Sequence, residues 1–476
     1  MEIKSNLLSN YRMLFKSVLI GALILLLLIP TFFIQNLVTE RQQRQQEAVA
    51  EINSHWAAPQ TLTGPVIGVP YLDIATDNGN RVAVKRWAYF LPSKLDIRSH
   101  LAPEKRYRGI YPVIVYTTEL DIRGSFDSLH LDALNLAPEN IFWKEATVFF
   151  DLSDPQGLKE DMTLHLSATT GGATPAATSA TNPAPTSAAT PAVANLTQSA
   201  DLTLIPAQRS TDQFRTALGA SLPEWLPSAA RNNLEFSAKL KLKGSGNLSF
   251  VPAGRETHVQ ASSPWPDPSF SGSALPDIRT IRDSGFVADW KVLALNRKFP
   301  QQWKEGNYNL TEAAFGVSLI VPVNVYQQTT RSVKYAILII LLTFTAFLLI
   351  EWVYDHTIHS VQYALVGLAL CIFYTLLLSL SEYLGFNSAY SIASVATIGL
   401  IAWYVGSLLR SGRMSLFVTL LLLVQYGFVF TLIQLQDYAL LMGSIGLFAT
   451  IAIVMYFSRK IKWDGDGREP AVARQA

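Results

Sequence analysis

The chain has 476 residues, of which 49% are hydrophobic and only 16% are charged, against roughly 25% charged residues in an ordinary soluble domain. Its formal net charge of +2 indicates no strongly basic surface of the kind that binds nucleic acid. Its single cysteine excludes an intramolecular disulfide and a cysteine-based zinc site.

The first apolar run predicts an uncleaved signal-anchor helix at residues 17–38. Three basic residues precede it within residues 1–16, namely Lys4, Arg12 and Lys16. The apolar stretch is long, and no small-x-small cleavage site follows it, which argues against a cleaved signal peptide. We therefore expect residues 1–16 to be cytoplasmic and the helix to remain in the membrane.

The middle of the chain, residues 39–334, is predicted to be a β-rich domain outside the cytoplasm. Residues 234–243 alternate strictly between apolar and polar side chains, which is typical of a strand with one wet face. The turn residues at 77–80 predict a hairpin between two apolar runs. Many short strands separated by Gly, Pro and Asn clusters favour an antiparallel sandwich or a barrel-like domain.

Residues 168–200 interrupt this domain with a stretch of Ala, Thr, Ser and Pro that has almost no large apolar side chain. Such a composition buries too little surface to offset the entropy of ordering the chain. The sequence therefore predicts a disordered insertion here, with a glycosylated stalk as the alternative.

Five further apolar runs follow, and each is long enough to cross about 30 Å of hydrocarbon. They lie at 335–351, 361–380, 388–409, 414–433 and 438–457. Only six charged residues occur between Tyr335 and Phe457, which no soluble domain of that size would show. Together with the signal anchor, these runs predict six transmembrane helices, five of them in a compact bundle.

The distribution of Lys and Arg predicts the orientation of the helices. Arg410 and Arg413 occupy the short loop between the fourth and fifth spans, and four basic residues begin the tail at 458–476. Because basic residues accumulate in cytoplasmic loops, both termini are expected in the cytoplasm.

Two groups of ionisable residues near the membrane are candidate functional residues. Glu351 and His359, together with Asp355 and His356, surround the loop between the second and third spans; they could bind a divalent metal, or form an ordinary solvated loop. Glu382 ends the third span and could serve function, or pair with Arg331 or Lys334. Two polar side chains inside the spans, Gln425 and Gln434, are explained by hydrogen bonds between helices.

In the middle domain the densest unusual patch is residues 263–272, where Trp265 and Phe270 either pack onto the sheet or present a partner-docking surface. No nucleophile elbow or Gly-rich phosphate loop is found. The sequence therefore nominates no catalytic residue, no cofactor and no metal site.

Several long stretches resemble the CreD family of bacterial inner-membrane proteins nearly end to end. The stretches that carry the resemblance lie at 64–70, 250–257, 263–272, 283–290, 331–347, 359–386 and 460–464. The resemblance implies a role in cell envelope integrity, in tolerance to colicins and β-lactams, and expression under a two-component system. It implies no catalytic residue. The positions in these stretches most worth watching are Glu351, His359, Gln362, Tyr363, Ser381, Glu382 and Gly385, with Trp265, Pro266 and Phe270.

The favoured interpretation is a non-enzymatic envelope factor in contact with the lipid bilayer, whose periplasmic domain binds a partner that the sequence does not identify. One alternative is an envelope-modifying membrane enzyme with its chemistry near Glu382. The other is a transporter of small molecules or lipids, although carboxylates at the bilayer midplane, which such proteins commonly use, are absent from the sequence.

Overall fold

The computed structural model describes residues 2–77, 80–170, 196–206, 217–226, 233–304, 308–320, 325–354, 358–409, 412–435 and 438–458. The chain divides into two compact units. One comprises Met1–Gln46 and Val323–Ala476, and the other comprises Glu47–Pro322. We call them the helical unit and the β unit.

The described part of the chain contains seven α-helices of at least ten residues. They are α1 (Glu2–His55), α2 (Val325–Lys334), α3 (Ala336–Tyr354), α4 (Ser360–Leu384), α5 (Phe386–Leu409), α6 (Gly412–Gln434) and α7 (Ala439–Ser458). Five apolar helical stretches are long enough to cross a membrane, namely Phe15–His55, Val325–Glu351, Ser360–Leu384, Phe386–Leu408 and Gly412–Gln434, and Leu441–Ile453 is a shorter apolar helix. The predicted architecture of one N-terminal helix, a large β domain and a C-terminal helical bundle is confirmed.

Helix α4 lies at the centre of the helical unit. It buries ten residues from Tyr363 to Ser381, which recur at intervals of three and four positions and so form one broad helix face. Gly367 on this face lies against Leu27 of α1, so closely that a Cβ on Gly367 would meet a Leu27 methyl at 2.2 Å. The Sγ of Cys371, one turn further on, lies 3.8 Å from the Leu27 carbonyl oxygen. The absence of a Cβ at Gly367 thus permits close packing of α1 against α4.

The predicted boundary of the middle domain at residue 334 differs from the structure. Residues Val325–Lys334 form α2 and belong to the helical unit. This short helix is amphipathic, with Tyr326, Thr329 and Val333 buried on one face. Burial of that face stabilises α2 as part of the bundle.

The β unit contains sixteen described strands that form one continuous sheet. They are β1 (Gln60–Asp77), β2 (Asn80–Phe90), β3 (Lys94–Arg108), β4 (Tyr111–Phe126), β5 (Thr147–Leu152), β6 (Met162–Thr170), β7 (Leu196–Pro206), β8 (Ala217–Ser221), β9 (Leu234–Ser245), β10 (Asn247–Phe250), β11 (Glu256–Ser263), β12 (Pro268–Gly272), β13 (Ile278–Arg282), β14 (Gly285–Leu293), β15 (Gln302–Lys304) and β16 (Phe315–Leu319).

The strand order is β12-β16-β10-β1-β5-β8-β7-β6-β9-β4-β3-β11-β14-β13, with β2 paired to β1 and β15 paired to β2. All the pairs are antiparallel except β1 with β10 and β3 with β11, so the predicted antiparallel character is confirmed. The predicted hairpin is also present, because β1 and β2 pair from Ile67 opposite Phe90 to Asp77 opposite Asn80.

Alternation along the strands separates a single hydrophobic core from a wet face. In β9 the apolar residues from Leu234 to Leu242 are buried, while Glu235, Lys239 and Lys241 between them are exposed. The predicted strand with one wet face is therefore confirmed, and β3 and β4 alternate in the same way.

The predicted disordered insertion at 168–200 is wrong at both of its ends. Strands β6 and β7 pair with each other from Met162 opposite Leu204 as far as Thr170 opposite Leu196. Small Ala, Thr and Ser side chains at 168–170 and 196–200 are compatible with a ladder because backbone hydrogen bonds hold it. The rest of the predicted insertion, residues 171–195, lies outside the described residues.

Candidate functional site

Glu351, near the end of α3, is held by residues of two other helices. Its carboxylate forms an ion pair with Lys16 of α1 and accepts a hydrogen bond of 3.3 Å from the Tyr363 hydroxyl of α4. Lys16 also donates to the Ile358 carbonyl oxygen at 2.6 Å. The Glu351 side chain is only 12% exposed, so this carboxylate is an anchor between three helices.

Glu382, near the end of α4, has a similar environment. Its Oε1 lies 3.8 Å from Nε of Arg41 on α1 and accepts a hydrogen bond of 3.2 Å from the Tyr326 hydroxyl of α2. The Glu382 side chain is 9% exposed and the Arg41 side chain is 40% exposed. The predicted pairing of Glu382 with Arg331 or Lys334 is therefore wrong: its cation comes from the first helix, which extends well beyond its apolar run.

The two ion pairs fasten α1 to the bundle at two levels. Lys16 and Arg41 are 25 positions apart, which is about 37 Å along a helix that rises 1.5 Å per residue. This separation exceeds the roughly 30 Å hydrocarbon core and falls within the roughly 40–45 Å of the whole bilayer. A separation of this size is long enough for the two pairs to lie at opposite interfaces, where desolvation costs less than at the midplane.

His359 is a helix cap. Its Nδ1 accepts a hydrogen bond from the Val361 backbone N–H at 3.3 Å, and its own backbone N–H donates to Gln362 Oε1 at 2.9 Å. These two bonds satisfy backbone donors at the start of α4. No group of three or more His, Cys, Asp or Glu side chains that could hold a metal occurs in the described ranges. Asp355 and His356 lie outside them.

Trp265 and Phe270 pack into the β unit. The Trp265 side chain N–H donates to the Ile320 carbonyl oxygen at 3.1 Å, and the residue is 9% exposed. The Phe270 ring packs edge-on against Phe286 and Trp290, with centroids 5.7 and 5.6 Å apart. Of the two predicted roles for this patch, the contacts correspond to packing onto the sheet.

The polar side chains inside the bundle make hydrogen bonds between helices, as predicted. The Thr343 hydroxyl of α3 donates to Gln425 Oε1 of α6 at 3.1 Å. At the C-terminal end of α6, Gln434 Nε2 donates to Asn387 Oδ1 of α5 at 2.6 Å. These bonds satisfy the Gln425 amide oxygen and the Gln434 amide nitrogen, whereas the Gln425 Nε2 is buried without a hydrogen-bond partner among the described residues.

The wet face of five adjacent strands, β11-β3-β4-β9-β6, forms a groove of about 1160 Å³ in the β unit. Eleven of its lining residues are ionisable: Lys94, Asp96, Asp121, Arg123, Glu160, Asp161, His165, Glu235, Lys239, Glu256 and His258. Six of these are carboxylates and three are permanent cations, so the lining combines both signs of charge. We call it the charged groove.

Part of the charge in the groove is neutralised by neighbouring side chains on the same or an adjacent segment. Arg123 donates two hydrogen bonds to Asp121, of 3.0 and 2.7 Å, which raise the pKa of the guanidinium. Lys241 donates to Glu160 at 3.0 Å, and this bond raises the pKa of the Lys241 ammonium. These contacts place opposite charges next to each other on the exposed face of the sheet.

The two histidines of the groove each contact a carboxylate. His165 Nδ1 lies 2.7 Å from Asp201 on the adjacent strand. His258 Nδ1 lies 3.4 Å from Asp96, and its Nε2 lies 3.8 Å from Asp289. The rings are thereby oriented along the wet face, where they are able to donate or accept hydrogen bonds.

The sequence-based reasoning missed the charged groove entirely. The strands show charged or polar residues at alternate positions, but the groove forms only when β11, β3, β4, β9 and β6 lie side by side. The available signal was the unusual charge density on the wet face of β9, at Glu235, Lys239, Lys241 and Lys243. Such a run is ordinarily read as a solvated strand face.

Comparison with known proteins identifies the family of the chain. The profile of a family described as "Inner membrane protein CreD" matches residues 12–464. A protein named "Inner membrane protein CreD" from Escherichia coli (strain K12) is 32% identical over 453 residues, which cover 94% of this chain and 92% of the relative. With its apolar helices and its β domain, the chain belongs to the CreD family of multi-pass inner membrane proteins.

Proposed function

We propose that this protein supports cell envelope integrity, and tolerance to envelope-directed agents such as colicins and β-lactams, by binding an envelope component in the charged groove. In this proposal the β unit faces the periplasm and the protein acts without catalysis. The observation that carries the proposal is the groove itself, since a concave face of about 1160 Å³ lined by charges of both signs can be electrostatically complementary to a charged ligand.

The environment of the membrane carboxylates supports this proposal over an enzyme or a transporter. Glu351 and Glu382 are both largely buried, and both are paired with cations of α1. A carboxylate held by an ion pair and a tyrosine hydroxyl has the contacts of a structural residue. To act as a catalytic or transport group, the carboxylate would have to break these contacts.

The proposed orientation rests on the distribution of Lys and Arg, and reporter fusions test it. A reporter that is active only in the periplasm should be active when fused after residue 150 and inactive when fused after residue 411. Activity of the second fusion would contradict a cytoplasmic location for the loop after α5 and, with it, the six-span topology.

Complementation tests the proposed function. A strain lacking the gene should regain β-lactam tolerance when it carries the wild-type chain, and should fail to regain it with the double variant Lys94→Glu and Lys239→Glu. A matched control is Lys144→Glu, because Lys144 is exposed on the same unit outside the groove. All variants must reach the membrane in equal amounts, which immunoblotting verifies.

The same assay separates the alternatives. Full tolerance from the Lys94→Glu and Lys239→Glu variant would overturn the proposed role of the groove. If, in addition, a stably folded Glu382→Gln variant failed to restore tolerance, the result would favour an enzyme or a transporter that works through Glu382.

A further inference from the structure

We propose that the ligand of the charged groove is a short zwitterionic peptide, with a free ammonium group and a free carboxylate about 10 Å apart. This inference rests on the proposed function, because it assigns a ligand class to the same groove. It follows from which charges in the groove are unpaired and from how far apart the sheet holds them.

Four charges in the groove remain available to a ligand. Lys94, Lys239, Asp161 and Glu235 line the groove, and none of them forms an ion pair within 4 Å or a side-chain hydrogen bond in the described part of the chain. Lys94 lies opposite Glu256 on β11 and contributes to lowering the pKa of that carboxyl, but the ion pair of Glu256 is with Lys291. Lys94, Lys239 and Glu235 are exposed. The groove thus offers two ammonium groups and two carboxylates, which together complement a ligand carrying both signs of charge.

The strand register sets the spacing of one complementary pair. Lys94 on β3 lies opposite Ser125 on β4, and Ser125 lies opposite Glu235 on β9. Neighbouring strands are about 4.8 Å apart, so the backbone positions of Lys94 and Glu235 are about 10 Å apart on one face. An extended tripeptide spans about 10 Å from its ammonium to its carboxylate, so a tripeptide lying across the three strands can reach both exposed side chains.

The surface between these two charges favours a peptide over a planar ligand. Ser125 occupies the position between them, and its small hydroxyl side chain leaves room for a backbone to lie across the strand. Phe236 is the one Phe, Tyr or Trp among the described lining residues, and it is buried at 3% exposure. The imidazole rings of His165 and His258 lie on β6 and β11, outside the three strands that carry the two charges and Ser125. Among the described lining residues, therefore, no exposed aromatic ring on which a flat ligand could stack lies between these two charges.

The experiment measures binding of triglycine to the full-length protein in detergent micelles by isothermal titration calorimetry at millimolar peptide. Three blocked peptides serve as matched ligands: acetyl-triglycine keeps only the carboxylate, triglycine amide keeps only the ammonium, and acetyl-triglycine amide keeps neither. Binding should be strongest for triglycine and should weaken with added salt, because exposed charges are screened.

The variants locate the site. Lys94→Gln should weaken triglycine binding about two- to five-fold, the effect of losing one exposed ion pair, and should leave binding of triglycine amide unchanged. Glu235→Gln should weaken binding of triglycine amide, which keeps the ammonium, and should leave binding of acetyl-triglycine unchanged. Lys144→Gln and Glu139→Gln, at exposed positions outside the groove, should change nothing.

Three outcomes would overturn the inference: no binding of triglycine at millimolar concentration, equal binding of the doubly blocked peptide, or equal effects of the groove and control variants. Failure of the peptide experiment while the Lys94→Glu and Lys239→Glu variant still abolishes tolerance would leave the groove functional with another ligand. Failure of both would remove the proposed function as well.

Discussion

Reversing the charge of Glu382 should destabilise the helical unit, and reversing Arg41 in the same chain should restore much of the loss. The Glu382 carboxylate is 9% exposed and lies 3.8 Å from the Arg41 guanidinium. In Glu382→Lys two cations would meet at this position. The exchanged pair Arg41→Glu with Glu382→Lys recreates one charge of each sign.

The exposure of the two side chains sets the size of the expected loss in the free energy of unfolding. Breaking a fully buried ion pair costs about 3–5 kcal/mol, and an exposed pair is worth about 0–1 kcal/mol. Because Arg41 is 40% exposed and reaches water, Glu382→Gln should lower the free energy of unfolding by about 1–2 kcal/mol. Tyr326→Phe removes a hydrogen bond of 3.2 Å to the same carboxylate and should cost about 1 kcal/mol.

The assay is unfolding of the purified full-length protein in mild detergent, with increasing denaturing detergent and tryptophan fluorescence as the readout. A double-mutant cycle over Arg41 and Glu382 then isolates their coupling energy. The matched control is Arg331→Glu, a change of the same kind on α2 outside the ion pair. It should not rescue Glu382→Lys. Rescue by Arg331→Glu, or none by Arg41→Glu, would refute the pairing described above.

Three further predictions concern packing, pH and accessibility. Gly367→Ala should destabilise the protein by about 1–3 kcal/mol through overpacking against α1, whereas Gly399→Ala, with nothing within 4 Å of the added Cβ, should be neutral or stabilising by thermal unfolding. The hydrogen bond from Lys291 lowers the pKa of Glu256. The small stabilising contribution of this bond is therefore present above the ordinary pKa of Glu and is lost as pH falls through the lowered value. Lys291→Met should return the titration of the Glu256 carboxyl, followed by NMR, to the ordinary range. Cys371, 2% exposed, should react with a maleimide only after unfolding; rapid labelling of the native protein would contradict its burial.

Both the helical segments and the strands were predictable from local pattern. Apolar runs of about 20 residues have one stable solution in a bilayer, since a helix satisfies its own backbone. The alternation in residues 234–243 identifies a strand with one buried face, and β9 has that burial pattern. The error at residues 168–170 and 196–200 arose because composition reports side-chain burial, whereas a strand pair is held by backbone hydrogen bonds.

The contacts of the candidate residues depended on tertiary structure. Arg41, Tyr326 and Glu382 are far apart in sequence and meet only because α1, α2 and α4 pack together; no local period reports such a meeting. The charged groove likewise requires the non-sequential order β11-β3-β4-β9-β6. The sequence by itself determined which face of each strand is wet, because that depends on a period of two within one segment. Long-range strand pairing decides which wet faces lie side by side, and a single segment does not encode its partner. This pairing places the backbone positions of Lys94 and Glu235 about 10 Å apart.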